Sequence, residues 1–101
     1  MEGFLDKQGG GTSMFGSTAY KLRYFKLTNG TLTYHLDPTS ESKGSIPIPG
    51  SVFRDSNEDY EFEIYNKRSD IRTFHLKADT AFLKEMWKKG LASVGTEMGE
   101  S

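Results

Sequence analysis

The segment Tyr20–Leu27 is the feature that most restricts how this chain can fold. Its side chains alternate between two faces, which predicts a β-strand that directs Phe25 and Leu27 into a core. Lys21 and Arg23 lie on the same face, nearer the start of the strand. A core-facing row that ends in two cations predicts the open end of a barrel, where an anion can bind.

Six further segments are also predicted to be short strands. Asn29 and Gly30 predict a hairpin turn of type I′, because both residues tolerate positive φ. Pro47 and Pro49 confine the fourth strand to an edge or a barrel corner. The seven predicted strands are residues 2–8, 20–27, 31–35, 43–50, 51–55, 60–65 and 72–77. Even spacing of this kind predicts an antiparallel sandwich or barrel.

The hydrophobic period changes near the C-terminus and predicts one amphipathic helix. Asp79 or Thr80 can cap its start. Its buried face is predicted to contain the apolar or small residues Leu83, Met86, Trp87, Gly90, Leu91 and Val94. With 101 residues, the chain is expected to form one domain over residues 1–95, followed by a flexible tail over residues 96–101.

The overall charge restricts the classes of partner. The chain has 13 Lys and Arg against 14 Asp and Glu, a net charge of −1, which argues against nucleic acid as a partner. Any anion must therefore be recognised by a few cations gathered at one place. There are no cysteines, and His35 and His75 are predicted to be exposed on different strands, so no metal site and no cofactor are expected.

The order of these segments resembles the pleckstrin homology (PH) domain, over residues 2 to about 94. The matching features are Glu2-Gly3-x-Leu5-x-Lys7, Lys21-x-Arg23-x-Phe25-x-Leu27, Gly30-Thr31-Leu32-x-Tyr34, Gly44-Ser45-Ile46, Phe62-x-Ile64, Phe74-x-Leu76 and Trp87. Gly90-Leu91 replaces the family's usual alanine-aliphatic pair. The resemblance implies a mainly β fold, a bent seven-stranded antiparallel sandwich or partly open barrel capped by one C-terminal helix.

The resemblance also implies a site at the open end, where lipid-binding members of the family hold a phosphoinositide head group. Lys7, Lys21, Arg23 and Tyr34 match the family's binding pattern, which favours lipids phosphorylated at the inositol 3-position. Arginine can bind two phosphate oxygens, whereas lysine acts as a point charge and tyrosine supplies a phenolic donor. Lys43 is assigned to the same ligand-binding site.

Other assignments of the cations remain open at this stage. Arg23 is either paired internally, with Asp6 or Glu41, or faces a ligand. The link that contains Lys67 and Arg68 can also approach the mouth, but the pattern does not decide this.

The loop over residues 9–19 is rich in glycine and carries no charge. Strong lipid binders of the family often have basic residues here, so a modest affinity or a contribution from apolar insertion is expected. Met14 and Phe15 in this loop either contact the interfacial layer of a bilayer or fold back onto the barrel.

These observations predict a non-enzymatic module that binds a phosphoinositide head group and targets a membrane. We expect a monomer in the cytoplasm that is reversibly recruited to the membrane. The alternative is a protein-interaction module on the same scaffold, with a peptide added to a sheet edge or bound by Tyr20 and Tyr24. A third reading has lipid and protein binding together, each too weak alone.

Overall fold

A computed structural model describes residues 1–8, 19–56, 58 and 60–99 of the chain. The elements in chain order are β1 (Glu2–Gln8), β2 (Tyr20–Leu27), β3 (Thr31–His35), β4 (Ser42–Pro47), β5 (Ser51–Asp55), β6 (Glu61–Asn66), β7 (Phe74–Lys77), α1 (Ala81–Ser93) and β8 (Glu97–Met98). The seven predicted strands and the C-terminal helix are confirmed, with small shifts at the ends of β4, β6, β7 and α1.

All eight strands belong to one sheet, in the order β4-β3-β2-β1-β7-β6-β5-β8. Neighbours among β1 to β7 pair in antiparallel fashion, as predicted. β1 joins the two halves of the sheet, because it pairs with β2 along its whole length and with β7 at Asp6 and Lys7. β4 and β8 stand at the two ends of the order, so the sheet does not close into a complete barrel.

The hairpin between β2 and β3 is confirmed, but its predicted turn type is wrong. Among the described residues, positive φ occurs at glycines alone, at Gly50 and Gly95, so neither Asn29 nor Gly30 adopts the type I′ conformation. The turn is closed by the Thr28 amide, which donates to Thr31 O at 2.9 Å, and Ile48 N donates to Gly30 O at 3.2 Å. A backbone hydrogen bond from the segment after β4 thus reaches this turn, and the turn preferences of Asn29 and Gly30 cannot anticipate such a contact.

The core is built from the inward rows of the strands together with one side of α1. Phe25, Leu32 and Leu76 are fully buried. The core cluster consists of Leu5, Phe25, Leu27, Leu32, Ile46, Ile48, Phe53, Phe62, Ile64, Phe74, Leu76, Ala78, Trp87 and Leu91. The alternation read from the sequence therefore assigned the inward rows of β2, β6 and β7 correctly.

The helix begins after Thr80, whose hydroxyl accepts a hydrogen bond from Leu83 N at 3.1 Å. This confirms one of the two predicted caps. Trp87 and Leu91 are buried against the sheet, but the prediction that Leu83 and Met86 lie on the buried face is wrong, because they are 37% and 44% exposed. A helical period identifies an apolar stripe, yet this stripe is wider than the part of α1 that the sheet covers.

A short strand lies within the segment that the sequence analysis assigned to a flexible tail. Glu97–Met98 pairs with β5 in parallel, and Gly99 N donates to Phe53 O at 2.8 Å. Thr96 is 4% exposed and its hydroxyl is hydrogen-bonded to that of the buried Ser51 at 2.8 Å. Two paired residues are too few to produce a periodic pattern in the sequence.

His35 is buried, at 7% exposed, so its predicted exposure is wrong. Alternation along β3 holds, because the ring Nε2 of His35 lies 2.9 Å from the hydroxyl oxygen of Thr33, two residues earlier on the same face. The segment after β3 contacts the ring and contributes to its burial. The ring Nδ1 donates to Ser40 O at 2.9 Å. His75 is exposed, as predicted, and lies 3.3 Å from a carboxylate oxygen of Glu63.

Candidate functional site

The first two strands bring three cations to one end of the sheet. In the β1–β2 register Lys7 lies opposite Lys21, and Leu5 opposite Arg23. Odd-numbered residues of both strands point to the same face. Lys7 therefore follows the buried Leu5 on this face, and Arg23 precedes the buried Phe25. The inward row of a strand thus becomes cationic where the core ends.

The third and fourth strands complete this end of the molecule. Tyr34 lies opposite Phe25 on one side and Gly44 on the other. A Cβ placed on Gly44 would stand 2.3 Å from the Tyr34 hydroxyl oxygen, so only glycine leaves room for this ring position. Lys43 precedes Gly44 and is exposed at the rim.

A cavity of about 220 Å³ opens at this point. We call it the cationic mouth, and its lining consists of Lys7, Lys21, Arg23, Tyr34 and Lys43. The structure therefore brings together all five residues that the sequence analysis assigned to ligand binding. Lys67 and Arg68 are not in the lining. Lys67 forms an ion pair with Glu97 at 2.6 Å, and Arg68 with Asp70 at 2.8 Å.

Arg72 is a cation beside the mouth that the sequence analysis did not assign. Its guanidinium carbon lies 4.3 Å from the centre of the Phe74 ring, in a cation–π contact. Lys7 Nζ approaches the same ring at 5.7 Å and the Tyr34 ring at 4.8 Å. A signal existed in the sequence, because Arg72 stands two residues before the inward Phe74, just as Arg23 stands two residues before Phe25.

The electrostatics of the mouth are those of like charges held close together. Burial lowers the pKa of Lys7, and the positive charges of Arg72, Arg23 and Lys43 lower it further. None of the ion pairs formed between described residues involves Arg72 or a cation of the mouth. An anion placed among these groups would relieve their mutual repulsion.

Arg23 is bound only weakly to its surroundings. Its Nη1 donates to its neighbour's carbonyl, Leu22 O, at 2.7 Å. The internal pairing with Asp6 or Glu41 that was left open is absent from the described ion pairs. A guanidinium has five donors, so most of its capacity is available to a ligand in the mouth.

The two predicted membrane-contacting residues, Met14 and Phe15, lie outside the described residues, and their role stays a prediction. Among the described residues no helix has the length and apolar character that crossing a bilayer requires.

A second polar cavity, of about 260 Å³, lies beside β6, and its lining carries carboxylates where the mouth carries cations. Tyr20, Glu61, Glu63 and His75 contribute to its lining. Burial raises the pKa of Tyr20, and Glu61 raises it further. In the described part of the chain no group of three or more His, Cys, Asp or Glu residues is placed to hold a metal ion.

An open, bent sheet with a cationic mouth at one end and a helix packed on its core defines the PH class of domain. A family model described as "PH domain" matches residues 1–96, so this chain belongs to the PH domain family. This is a family of non-catalytic modules.

Known proteins and structures agree with this membership. Ras GTPase-activating protein 3 of Bos taurus is 29% identical over 89 residues, which are 85% of this chain and 11% of that protein. The chain thus spans about a ninth of the length of this relative. The carboxyl-terminal PH domain of pleckstrin is 26% identical with a TM-score of 0.78, covering 94% of this chain and 95% of that one. The same domain in complex with D-myo-Ins(1,2,3,4,5)P5 is 25% identical with a TM-score of 0.75, covering 96% and 97%.

Proposed function

We propose that this domain binds the phosphorylated head group of a phosphoinositide in the cationic mouth and thereby recruits its protein from the cytoplasm to a membrane, reversibly and as a monomer. The observation that carries the proposal is the convergence of four cations on one cavity, with no carboxylate paired to them among the described residues. A structural role for the partly buried Lys7 and Arg23 would call for such partners.

Each side chain of the mouth has a distinct role in this proposal. Arg23 binds two oxygens of one phosphate, because its planar donors match that geometry. Lys7 and Lys21 stand opposite each other on β1 and β2 and supply point charges for a second phosphate or the same one. The hydroxyl of Tyr34 donates to a phosphate or an inositol hydroxyl, held in place over Gly44.

Arg72 adds a long-range contribution. Its contact with Phe74 fixes the guanidinium beside Lys7, and its positive charge reaches the mouth strongly enough to lower the pKa of Lys7. We expect it to raise affinity for lipids with several phosphates more than for those with one, because its attraction grows with the charge of the ligand.

Two finer features belong to the same proposal. A preference for 3-phosphorylated lipids is supported by Lys7, Lys21, Arg23 and Tyr34, which match the family's pattern for such lipids. Contact of Met14 and Phe15 with the bilayer is supported by the absence of charge in residues 9–19, where cations cannot supply the affinity. Pleckstrin's domain, a similar structure solved with an inositol pentakisphosphate, supports binding of this ligand class.

The test is sedimentation of the domain with liposomes that contain each phosphoinositide in turn, or phosphatidic acid, at low and raised salt. We expect Arg23→Ala to lower the affinity by about 10- to 150-fold, since loss of a bidentate charged contact costs about 1.5–3 kcal/mol. The matched control is Arg68→Ala, because Arg68 is equally charged but paired with Asp70 outside the mouth.

The results of this experiment distinguish the proposed site from its absence and a 3-phosphate preference from none. Loss of binding with Arg23→Ala and retention with Arg68→Ala support the proposal, provided that both variants melt at the wild-type temperature. Equal binding by Arg23→Ala and wild type would falsify the site. Equal binding to all the lipids would retain the site but exclude a 3-phosphate preference.

A further inference from the structure

The first half of β1 has a free backbone edge. β1 pairs with β7 at Asp6 and Lys7, so residues 2–5 have no strand on that side among the described residues. Leu27 N donates to Met1 O at 2.8 Å, which shows that the backbone groups of Met1 face β2. Successive residues of a strand present these groups to opposite edges, so the N–H and C=O of Glu2 and Phe4 face away from β2. This edge can accept another strand.

Exposed apolar side chains lie next to this edge. Phe82 of α1 is 71% exposed, and Phe4 of β1 is 45% exposed. With Met1, Leu83 and Met86 they line a groove of about 480 Å³ between β1 and the first turns of α1, which we call the β1–α1 groove. Single exposed apolar residues are common, but a contiguous row beside an open strand edge is typical of an interaction surface.

The charge of the groove indicates the character of its occupant. Its charged side chains are Glu2 and Asp79, and no lysine or arginine side chain lines it. A second copy of this chain is a poor occupant, because a two-fold interface would place these carboxylates against each other. A segment that carries cations at its apolar rim is complementary instead.

We propose that the β1–α1 groove binds an extended segment of a partner protein in which apolar side chains alternate with lysine or arginine. The segment pairs with Glu2 and Phe4 as an added strand, so that one row of its side chains enters the groove and the cations meet Glu2 and Asp79. This surface differs from the β5 edge, which β8 already covers.

The groove and the cationic mouth are at opposite ends of β1. Lys7 follows Phe4 by three positions, a distance of about 10 Å along a strand. A peptide in the groove therefore leaves the mouth open, and one domain can hold a membrane and a partner together. Two weak contacts then reinforce each other through their high effective concentration.

The test is a titration of the ¹⁵N-labelled domain with a synthetic peptide that alternates valine and lysine, against a matched peptide that alternates valine and glutamate. We expect the lysine peptide to bind at least about tenfold more tightly, a difference of 1.4 kcal/mol. Its binding should shift the amide signals of Glu2, Phe4 and Phe82 and slow hydrogen exchange at the first two, while Lys21 is unaffected.

Substitutions make the test specific to this surface. Phe82→Ser should weaken the lysine peptide by about tenfold, since it removes the most exposed apolar side chain of the groove. Leu36→Ser is the control, because Leu36 is 52% exposed but does not line the groove. Asp79→Lys should reduce the preference for the lysine peptide.

Three results would overturn the proposal. The first is equal affinity for the two peptides or no binding of either at millimolar concentration. The second is binding that Phe82→Ser leaves unchanged. The third is a concentration-dependent dimer that Phe82→Ser abolishes, which would assign the groove to a second copy of the chain. Lipid binding by the mouth is measured separately and survives each of these results.

Discussion

Two charged regions of this domain contain similar residues but arrange them in opposite ways. Asp55 and Glu63 each have a cation: Lys84 and Lys88 bind Asp55 at 2.9 and 3.4 Å, and Arg54 binds Glu63. In the cationic mouth the lysines and Arg23 surround a cavity without such partners among the described residues. The charges of Asp55 and Glu63 are therefore compensated within the fold, whereas the positive charges of the mouth are not compensated by any described carboxylate.

The same contrast appears in the titration of the two regions. Hydrogen bonding from Lys84 lowers the pKa of Asp55 despite partial burial, so the folded state favours its charged form. Burial and neighbouring cations lower the pKa of Lys7, so the folded state disfavours its charged form. Folding therefore stabilises the negative charge of Asp55 and destabilises the positive charge of Lys7.

The largest expected effect is stabilisation by a soluble inositol phosphate. A ligand that binds the folded state at 100 times its dissociation constant stabilises that state by about 2.7 kcal/mol, which raises the melting temperature by about 10–20 °C for a domain of this size. Differential scanning fluorimetry measures the shift. The same shift in Arg23→Ala would contradict binding in the mouth.

The next largest effect is a loss of lipid affinity when a carboxylate is introduced at the rim of the mouth. Lys43→Glu removes the attraction between the lysine and an anionic head group and adds repulsion by the new carboxylate. Each of these two effects is about 1 kcal/mol, so together they lower the affinity for phosphoinositide liposomes by roughly thirtyfold. We expect the melting temperature of the free domain to stay the same or rise. A fall in stability without any loss of binding would show that the two charged regions do not differ as described.

A smaller effect is expected on the paired side. Asp55→Asn removes the carboxylate that Lys84 and Lys88 contact and should lower the free energy of unfolding by about 1–2 kcal/mol at pH 7. Because the pKa of Asp55 is lowered in the folded state, its contribution is complete above the unfolded value of about 3.9 and is lost as the pH falls through the folded one. Urea unfolding at pH 7 and pH 3 measures this, with Asp70→Asn as the exposed control. A difference that persists undiminished at pH 3 would argue against an ionic contribution.

The smallest effect on stability is expected for Lys7→Met. The lowered pKa of Lys7 means that its charge opposes folding at every pH below the folded value, and that the penalty disappears as the pH rises past the unfolded value of about 10.4. The substitution should therefore leave the free energy of unfolding within about 0.5 kcal/mol of wild type, or raise it, while weakening lipid binding. Chemical denaturation at pH 7 checks the first part and liposome sedimentation the second. A clear loss of stability would assign Lys7 a structural role.

Most of the mouth was predictable from the sequence because strand parity fixes it. Lys7, Lys21 and Arg23 follow the inward row of β1 and β2, and the resemblance to the PH family added Tyr34. Lys43 was assigned to the same site without a strand pattern to place it. Arg72 was inside the predicted strand 72–77 and shared the parity of Phe74, but its place beside the mouth depends on how β7 pairs with β1, which no local pattern encodes. Lys67 and Arg68 stayed undecided since their partners, Glu97 and Asp70, depend on how β8 and the link are placed.

The sequence alone determined the strands, the inward rows and the cationic end of the barrel, because each follows from a local period of two residues. It also determined that the helix buries Trp87. Only the tertiary structure decided which neighbours a side chain meets: the contact of Ser40 with the buried His35, the strand that orders Glu97–Met98, and the exposure of Met86 beside the free edge of β1. These depend on contacts between distant segments, which a local pattern does not encode.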